Sequence, residues 1–172
     1  MDVGSPLAAA DVAAVLRVQL EAYAVEARLL ADDRIPALHE TEADLRAAGL
    51  RWLLERDDDG TVTGALGLRV EAGVVDIDRL VVDPACHRRG IGRRLVLRAL
   101  SSAERAVVST GRANTPARAL YERLGFTHDG DREVVAGLWV SDYTWTRAGC
   151  HHRVPESSVR RAASPTAGTT SR

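Results

Sequence analysis

The first part of the chain carries apolar residues at helical spacing. Between residues 8 and 30 they recur every three to five positions, at Val12, Val15, Leu16, Leu20 and Tyr23. This spacing predicts an amphipathic helix with Asp11 as a candidate cap. A second, short helix is predicted after Pro36, beginning near Thr41 and ending at Gly49.

Three apolar-rich segments with the character of strands follow these helices. They cover residues 50–56, 62–71 and 74–82, and the first two are separated by the polar turn Asp57-Asp58-Asp59-Gly60. Turns of this composition join antiparallel strands. We therefore expect an antiparallel meander in this region.

The second half of the chain returns to helical spacing at Ile91. From there apolar residues share one helical face through about residue 104. A helix is also predicted with Thr115 as N-cap and Pro116 at its first position, and Gly125 ends it. The remaining strands are expected at residues 107–110, 126–135 and 138–146.

Composition divides the chain into a domain and a tail. Residues 1–146 carry the periodic patterns, whereas residues 147–172 are rich in Ser, Thr, Pro, Ala, His and Arg without periodic apolar positions. We expect one domain of the α/β (α+β) class and a disordered C-terminal tail. The run Cys150-His151-His152 cannot close a tetrahedral site by itself, so no metal is predicted.

Charge and residue usage exclude several functions. A net charge of −1 gives no general attraction to nucleic acid or anionic lipid, and no apolar run is long enough to span a bilayer. All 23 basic residues are arginine, which excludes Schiff-base chemistry and a Walker P-loop because both need lysine. Cys86 and Cys150 are too few for a disulfide framework. The expected location is the cytoplasm.

A glycine-containing loop joins the strand at 74–82 to the helix that follows. Gly90 and Gly92 let the backbone approach an anion closely, and a helix start presents free N–H groups at the positive end of the helix dipole. Further positive charge comes from Arg88, Arg89, Arg93 and Arg94. The loop suits a pyrophosphate, although a tight turn with solvated arginines would have the same pattern.

The sequence around this loop resembles a known cofactor motif. Leu80-x-Val82-Asp83-Pro84 followed by His87-Arg88-Arg89-Gly90-Ile91-Gly92 is similar to the acetyl-CoA signature of the GNAT superfamily, Arg/Gln-x-x-Gly-x-Gly/Ala. His87 stands where that family usually has Gln or Arg. A Rossmann site is the rival interpretation, but no second parallel βαβ unit with a ribose-binding acid is evident.

The resemblance implies a GNAT fold with acetyl-CoA as the acetyl donor. The expected architecture is a mixed, mostly antiparallel sheet flanked by helices, in which the strands at 74–82 and 107–110 are parallel and splay apart. The family's first strand should precede residue 10, so the start is either truncated or a degenerate edge strand. The implied cofactor contacts are Leu80, Val81, Val82, His87, Arg88, Arg89, Gly90, Ile91, Gly92 and Arg93.

A second block resembles another part of the same family. Asn114-x-x-Ala117-x-x-Leu120-Tyr121-x-x-Leu124-Gly125-Phe126 is similar to the GNAT segment in which an Asn and a Tyr meet the cofactor. By this resemblance Tyr121 donates a proton to the departing coenzyme A thiolate; its alternative role is core packing. Asn114 is expected either to bind the pantetheine arm or to shape the turn before the helix.

Two carboxylates in the strand at 74–82 are candidate bases. Strict alternation places Asp76, Asp78, Leu80 and Val82 on one face of that strand. A carboxylate with a raised pKa can accept the proton that an attacking amine must lose. By resemblance Asp76 aligns with the acidic base of several family members. Alternatively, one or both carboxylates pair with arginines.

These inferences predict an N-acetyltransferase that moves an acetyl group directly to a primary amine, with no covalent enzyme intermediate and Cys86 serving only for packing. A small-molecule acceptor is slightly preferred over a protein amine, and homodimerisation is left open. The candidate acceptor-lining residues are Glu21, Glu26, Trp139 and Tyr143. The alternative from another class is a catalytically inactive GNAT-fold module that binds an acyl-CoA or a protein partner.

Overall fold

A computed structural model of the chain describes residues 3–30 and 36–148. The helices of this part are α1 (Val12–Leu30), α2 (Glu42–Ala47), α3 (Ile91–Leu100) and α4 (Thr115–Arg123). The strands are β1 (Ser5–Pro6), β2 (Arg51–Arg56), β3 (Val62–Glu71), β4 (Val74–Val82), β5 (Arg105–Gly111), β6 (Thr127–Val135) and β7 (Leu138–Thr146). The predicted order of helices and strands is therefore confirmed.

The strands form one sheet in the order β1-β2-β3-β4-β5-β7-β6. Neighbouring strands are antiparallel except for β4 and β5, which are parallel. Parallel pairing covers only Val74–Ile77 of β4 and Arg105–Val108 of β5. Both strands continue beyond that point without pairing to each other, so the expected splayed pair is present.

Helices cover both faces of the sheet, and each face has its own hydrophobic core. On one face, α3 and α4 pack against the sheet through side chains that include Leu66, Ile77, Leu95, Val96 and Tyr121. On the other face, α1 and α2 pack through side chains that include Val12, Val15, Leu45, Trp52 and Val81. Burial on both faces fixes the sheet between the helices and holds the splayed strand ends in place.

A β-bulge in β4 corrects the predicted alternation of its side chains. Gly67 pairs with Arg79 and Leu68 with Ile77, so Asp78 is an extra residue on β4. The bulge reverses the alternation, and Ile77 packs in the same core as Leu80. The prediction that Asp76, Asp78, Leu80 and Val82 share one face is wrong, because alternation holds only in an unbulged strand.

The helix caps and the first strand agree only in part with what the local sequence predicted. Thr41 caps α2 in a capping box with Asp44, as its position suggested. α4 is capped one residue earlier than predicted: the Asn114 side chain accepts from the Ala117 N–H at 3.2 Å, and Thr115 is already helical. Asn114 therefore shapes the turn before α4. The family's first strand corresponds to the two-residue β1 at the sheet edge.

The predicted tail overlaps the domain by one residue. Arg147 donates from Nε to the Ala103 carbonyl at 2.9 Å and from Nη2 to the Ser101 carbonyl at 2.8 Å. It therefore belongs with the packed chain, although composition assigned it to the tail. Residues 149–172, including the Cys150-His151-His152 run, lie outside the described residues. Within the described ranges, no helix combines the length and apolarity that crossing a membrane requires.

Candidate active site

The loop between β4 and α3 begins with an anchored carboxylate. Asp83 caps a short 3-10 turn, accepting from the Ala85 N–H at 2.9 Å, and its other oxygen lies 3.1 Å from Arg17 Nη1 on α1. Burial alone would raise the pKa of Asp83, but these hydrogen bonds lower it below its usual value. Asp83 therefore stays ionised and ties the loop to α1.

The next part of the loop has the backbone shape of an anion site. Arg88 has φ of 65° and Gly90 has φ of 75°, both left-handed, and α3 begins immediately afterwards at Ile91. Left-handed residues before a helix start create concavities lined by N–H groups. A left-handed arginine is strained, and such strain is found preferentially at ligand sites.

The arginines of the loop divide into anchored and available side chains. Arg94 is anchored, since its Nε and Nη2 lie 3.1 Å and 3.0 Å from Glu55 Oε2 and its Nη1 donates to the Arg89 carbonyl at 2.9 Å. Arg94 therefore does not supply the unpaired positive charge that was expected of it at this loop. Arg88, Arg89 and Arg93 are exposed and make no side-chain hydrogen bond or ion pair with the described residues. These three guanidinium groups remain available to a phosphate.

His87 folds back onto the end of β4. Its Nε2 lies 3.3 Å from the Val82 carbonyl oxygen. Gly92 lies on the same side of the sheet: a Cβ built there would be 3.6 Å from Leu80 Cδ2 and 3.8 Å from Val82 Cγ2. The loop is thus continuous with the splayed end of β4.

A cleft of about 150 Å³ lies between the splayed ends of β4 and β5. Among the predicted site residues it brings together Asp78, Leu80, Asn114 and Tyr121. Asp76 does not line it, because Asp76 is half-buried opposite Val107 in the paired part of β4. The side chain of Val81 is buried in the core beneath α1.

Asp78 is held by two arginines. Its Oδ2 accepts from Arg79 Nε at 2.9 Å, and its Oδ1 accepts from Arg69 Nη1. Arg79 also donates to Gln19 Oε1 at 3.0 Å and to Glu40, and its side chain is only 9% exposed. This network fastens α1 and the segment before α2 to the bulge of β4.

Tyr121 is a core residue with access to the cleft. The residue is 3% exposed, and its ring lies 5.4 Å from that of Phe126 and 6.0 Å from that of Tyr143. Burial raises the pKa of its hydroxyl above the ordinary value, so the hydroxyl stays protonated at neutral pH. The side chain thus combines both roles considered for it, core packing and a position beside the cleft.

α1 crosses the cleft, an arrangement that the sequence pattern did not predict. The buried stripe of α1 ends in polar residues. It continues through the buried Gln19 to the half-buried Tyr23 and Glu26, at spacings of four and three residues. Tyr23 and Glu26 line the cleft together with Arg79. Burial raises the pKa of Glu26, while the Asn114 side chain and the Gly111 N–H partly counter that rise. The change from apolar to polar residues along one helical stripe was the available signal.

Three other candidate liners lie elsewhere. Glu21 pairs with Arg17 at 3.0 Å. The Arg112 guanidinium lies over the Trp139 ring, with its Cζ 4.8 Å from the ring centre. Tyr143 is buried, where its hydroxyl donates to Glu122 at 3.0 Å and accepts from Arg118 at 3.1 Å. Of the residues expected to line the acceptor site, Glu26 therefore lines this cleft and these three do not.

Comparison with known proteins decides the family. The model of the acetyltransferase (GNAT) family matches residues 15–126, which include all but the first three residues of α1, the loop and the whole of α4. The chain belongs to the GNAT acetyltransferase family. Cys86 is half-buried against the core. The described residues of this GNAT family member contain no cluster of three or more His, Cys, Asp or Glu suited to a metal ion.

Two curated relatives align with part of this chain. The UPF0157 protein YqkA of Bacillus subtilis is 35% identical over 130 residues, covering 74% of this chain and 38% of that protein. The mycothiol acetyltransferase of Beutenbergia cavernae is 39% identical over 84 residues, covering 45% of this chain and 28% of that protein. The chain thus spans well under half the length of each.

Solved structures share the fold at low sequence identity. The ribosomal-protein-S18-alanine N-acetyltransferase of Escherichia coli superposes with a TM-score of 0.67 at 18% identity, covering 87% of this chain and 97% of that one. The PaiA N-acetyltransferase of Thermoplasma acidophilum was solved in complex with coenzyme A. It superposes with a TM-score of 0.64 at 15% identity, covering 84% of this chain and 100% of that one. The GNAT architecture is therefore present along most of the chain.

Proposed function

We propose that this acetyltransferase binds acetyl-CoA on the loop at residues 87–93 and transfers its acetyl group directly to a primary amine. The observation that carries the proposal is the continuity of that loop with the cleft between β4 and β5. A donor whose pyrophosphate lay on the loop would direct its thioester along the end of β4. There it would meet an acceptor held beneath α1.

The loop fits a pyrophosphate in both backbone and charge. Arg88 and Gly90 give it the left-handed turns of an anion site, at the start of a ten-residue helix. Arg88, Arg89 and Arg93 are available to balance the phosphate charge. A coenzyme A complex of the Thermoplasma structure with the same fold supports this choice of ligand.

The end of β4 and Tyr121 supply the groups that transfer requires. Past Ile77, β4 pairs with no described strand on the β5 side, so N–H groups directed there can polarise the thioester oxygen. In this proposal the Val82 N–H has that role. Tyr121, protonated and beside the cleft, donates a proton to the leaving sulfur. No covalent enzyme intermediate is required.

The cleft favours a small cationic amine as the acceptor. Its volume of about 150 Å³ and the carboxylate of Glu26 suit a small ammonium-bearing molecule. Asp78 and Arg79 also line the cleft, but they pair with each other. Transfer to nitrogen is also the reaction named for the Escherichia coli and Thermoplasma structures of the same fold. A protein amine is the second acceptor class to be tested.

Calorimetric titration with acetyl-CoA tests the cofactor site. Gly90→Glu places a negative charge at the loop. Gly60→Glu is the matched control, because Gly60 is also left-handed, lies in a distant turn, and has no atom within 4 Å of the position that a Cβ would take. We expect Gly90→Glu to weaken binding by about tenfold or more, the equivalent of about 1.4 kcal/mol. Gly60→Glu should bind as the parent does.

Coenzyme A release in the presence of amines then tests transfer. Release that is faster with an amine identifies a transferase, whereas saturable binding without release identifies a non-catalytic acyl-CoA module. Failure of the parent to bind acetyl-CoA would overturn the proposal. If the parent and Gly90→Glu bind acetyl-CoA with equal affinity, the cofactor does not bind on this loop.

A further inference from the structure

The polar end of the α1 stripe brings one carboxylate over the cleft. In the first half of α1, Val12 and Val15 are fully buried against the sheet. The same face continues through Gln19 and Tyr23 to Glu26, which lines the cleft opposite the end of β5. Since helical spacing fixes this direction, Glu26 is directed at the cleft and not at solvent.

Ion pairing distinguishes Glu26 from Asp78, which also lines the cleft, and from Glu40, which contacts the lining residue Arg79. Both oxygens of Asp78 accept from arginines, and Glu40 accepts from Arg79 and from Gln19 Nε2, the latter at 2.7 Å. Glu26 forms no ion pair with any arginine in the described ranges; its neighbours are the Asn114 amide and the Gly111 N–H. Its charge is therefore the least neutralised of the three.

The titratable and amide side chains that line the cleft with Glu26 come from α1, β4 and α4, and Gly111 of β5 adds its N–H. They are Tyr23 on its own helix, Asp78 and Arg79 on β4, and Asn114 and Tyr121 at α4. The Glu26 charge also acts electrostatically on Tyr23 and on Tyr121. Burial raises the pKa of Glu26 against the effect of Asn114 and Gly111, which moves its titration toward neutral pH.

We propose that Glu26 is the base that takes the proton from the acceptor amine, a role that the sequence pattern assigned to Asp76 or Asp78. The inference rests on the proposed acetyl transfer. The acceptor reacts as the neutral amine, after its ammonium form has released one proton to solvent. As the amine nitrogen bonds to the acetyl carbon it loses one further proton to Glu26. As the carbon–sulfur bond breaks, the sulfur takes the Tyr121 hydroxyl proton. The proton on Glu26 then returns to Tyr121, leaving an amide, free coenzyme A and an unchanged enzyme.

Steady-state kinetics with Glu26→Gln tests the role. The probes are acetyl-CoA with spermidine, tyramine and an alanine-initiated peptide, followed by coenzyme A release across pH. We expect kcat to fall about 100-fold or more, an unchanged KM for acetyl-CoA, and loss of the acidic limb of the kcat/KM profile. Glu26→Asp should restore part of that limb. Glu71→Gln, on the exposed end of β3, is the control and should behave as the parent.

Two measurements on the cofactor-free protein make the test independent of turnover. Carbon-13 NMR of the side-chain carboxyls should show one glutamate that titrates above the ordinary value of about 4.3, and this resonance should be missing in Glu26→Gln. A carboxylate with a raised folded pKa costs stability once ionised, so Glu26→Gln should not lower Tm at pH 7. A lost activity with an unchanged Tm thus separates catalysis from misfolding.

The outcomes distinguish this inference from the proposed function. If the parent acetylates an amine and Glu26→Gln keeps its kcat and pH profile, Glu26 is not the base, while the transferase remains. A Glu26 carboxyl that titrates at or below the ordinary value overturns the inference in the same way. If the parent binds acetyl-CoA but releases no coenzyme A with any of the amines, the proposed transfer fails and the role of Glu26 fails with it.

Discussion

β3 passes directly beneath the first turn of α3 at Gly64. A Cβ built on Gly64 would lie 2.6 Å from Ile91 Cγ2, and 3.3 Å from both Leu95 Cδ1 and the Val81 carbonyl oxygen. Ile91 and Leu95 are buried, and the β-branched Ile91 cannot readily turn its Cγ2 away. Gly64→Ala must therefore displace α3 or strain the core beneath it.

The cost of that methyl group depends on Ile91. Adding a methyl to a closed core costs about 1–3 kcal/mol, and Ile91→Ala alone costs about 2–5 kcal/mol by leaving a cavity. Ile91→Ala also removes the atom that blocks the new methyl. The double variant should therefore lose at least about 1 kcal/mol less than the sum of the two single losses.

Urea unfolding followed by tryptophan fluorescence measures this coupling, with Trp52 buried in the sheet as one reporter. Leu97→Ala is the matched control, because Leu97 lies on the outer face of α3 and is 40% exposed. Its effect should add to that of Gly64→Ala. Each kcal/mol lost should also lower Tm by roughly 2–4 °C for a chain of this size.

Additivity of Gly64→Ala and Ile91→Ala within about 0.5 kcal/mol would refute the reasoning. It would mean that the added methyl and Ile91 do not compete for space. The close approach of β3 and α3 would then not explain why residue 64 is a glycine. A stable Gly64→Ala variant with unchanged Tm would lead to the same conclusion.

Two further predictions concern buried charges. Arg79→Met leaves Glu40 and Asp78 without their shared cation and should cost about 3–5 kcal/mol in urea unfolding; a loss below about 1 kcal/mol would contradict the network. Burial opposes ionisation of Asp83, but Ala85 and Arg17 lower its pKa, so Asp83 stabilises the fold above the unfolded pKa of about 3.9 and ceases to do so as pH falls toward the lower folded value. Asp83→Asn should make stability less sensitive to pH below about 4, and an unchanged acid unfolding profile would argue against this anchor.

Local patterns predicted the elements because their signals are short-range. The strands at 62–71 and 74–82 were predicted with the bounds that the structure shows. The splayed parallel pair and the loop before α3 followed from the family motif. Asn114 was interpreted less well, since Thr115-Pro116 is also a good helix start and local sequence does not choose between adjacent caps.

Long-range packing explains what the sequence did not predict. The bulge at Asp78 depends on how β3 pairs with β4, so alternation counted along β4 alone gave the wrong face beyond Ile77. The same limit applies to Glu26, one of two acids on α1, which the sequence indicated as an acceptor-lining residue and not as a base. Which groups surround it, and hence its candidate role as base, depends on how α1 packs on the sheet.

The short contact between β4 and β5 also bears on how the chain folds. Four residue pairs join the antiparallel group β1–β4 to the group β5–β7, and the paired residues lie about thirty positions apart in the chain. Parallel pairing at that separation carries a larger loop-closure cost than the hairpins within the first group. We therefore expect the two groups to associate late. The step that completes the sheet would then be the step that creates the cleft, so a chain trapped before it would hold most of its secondary structure and no substrate site.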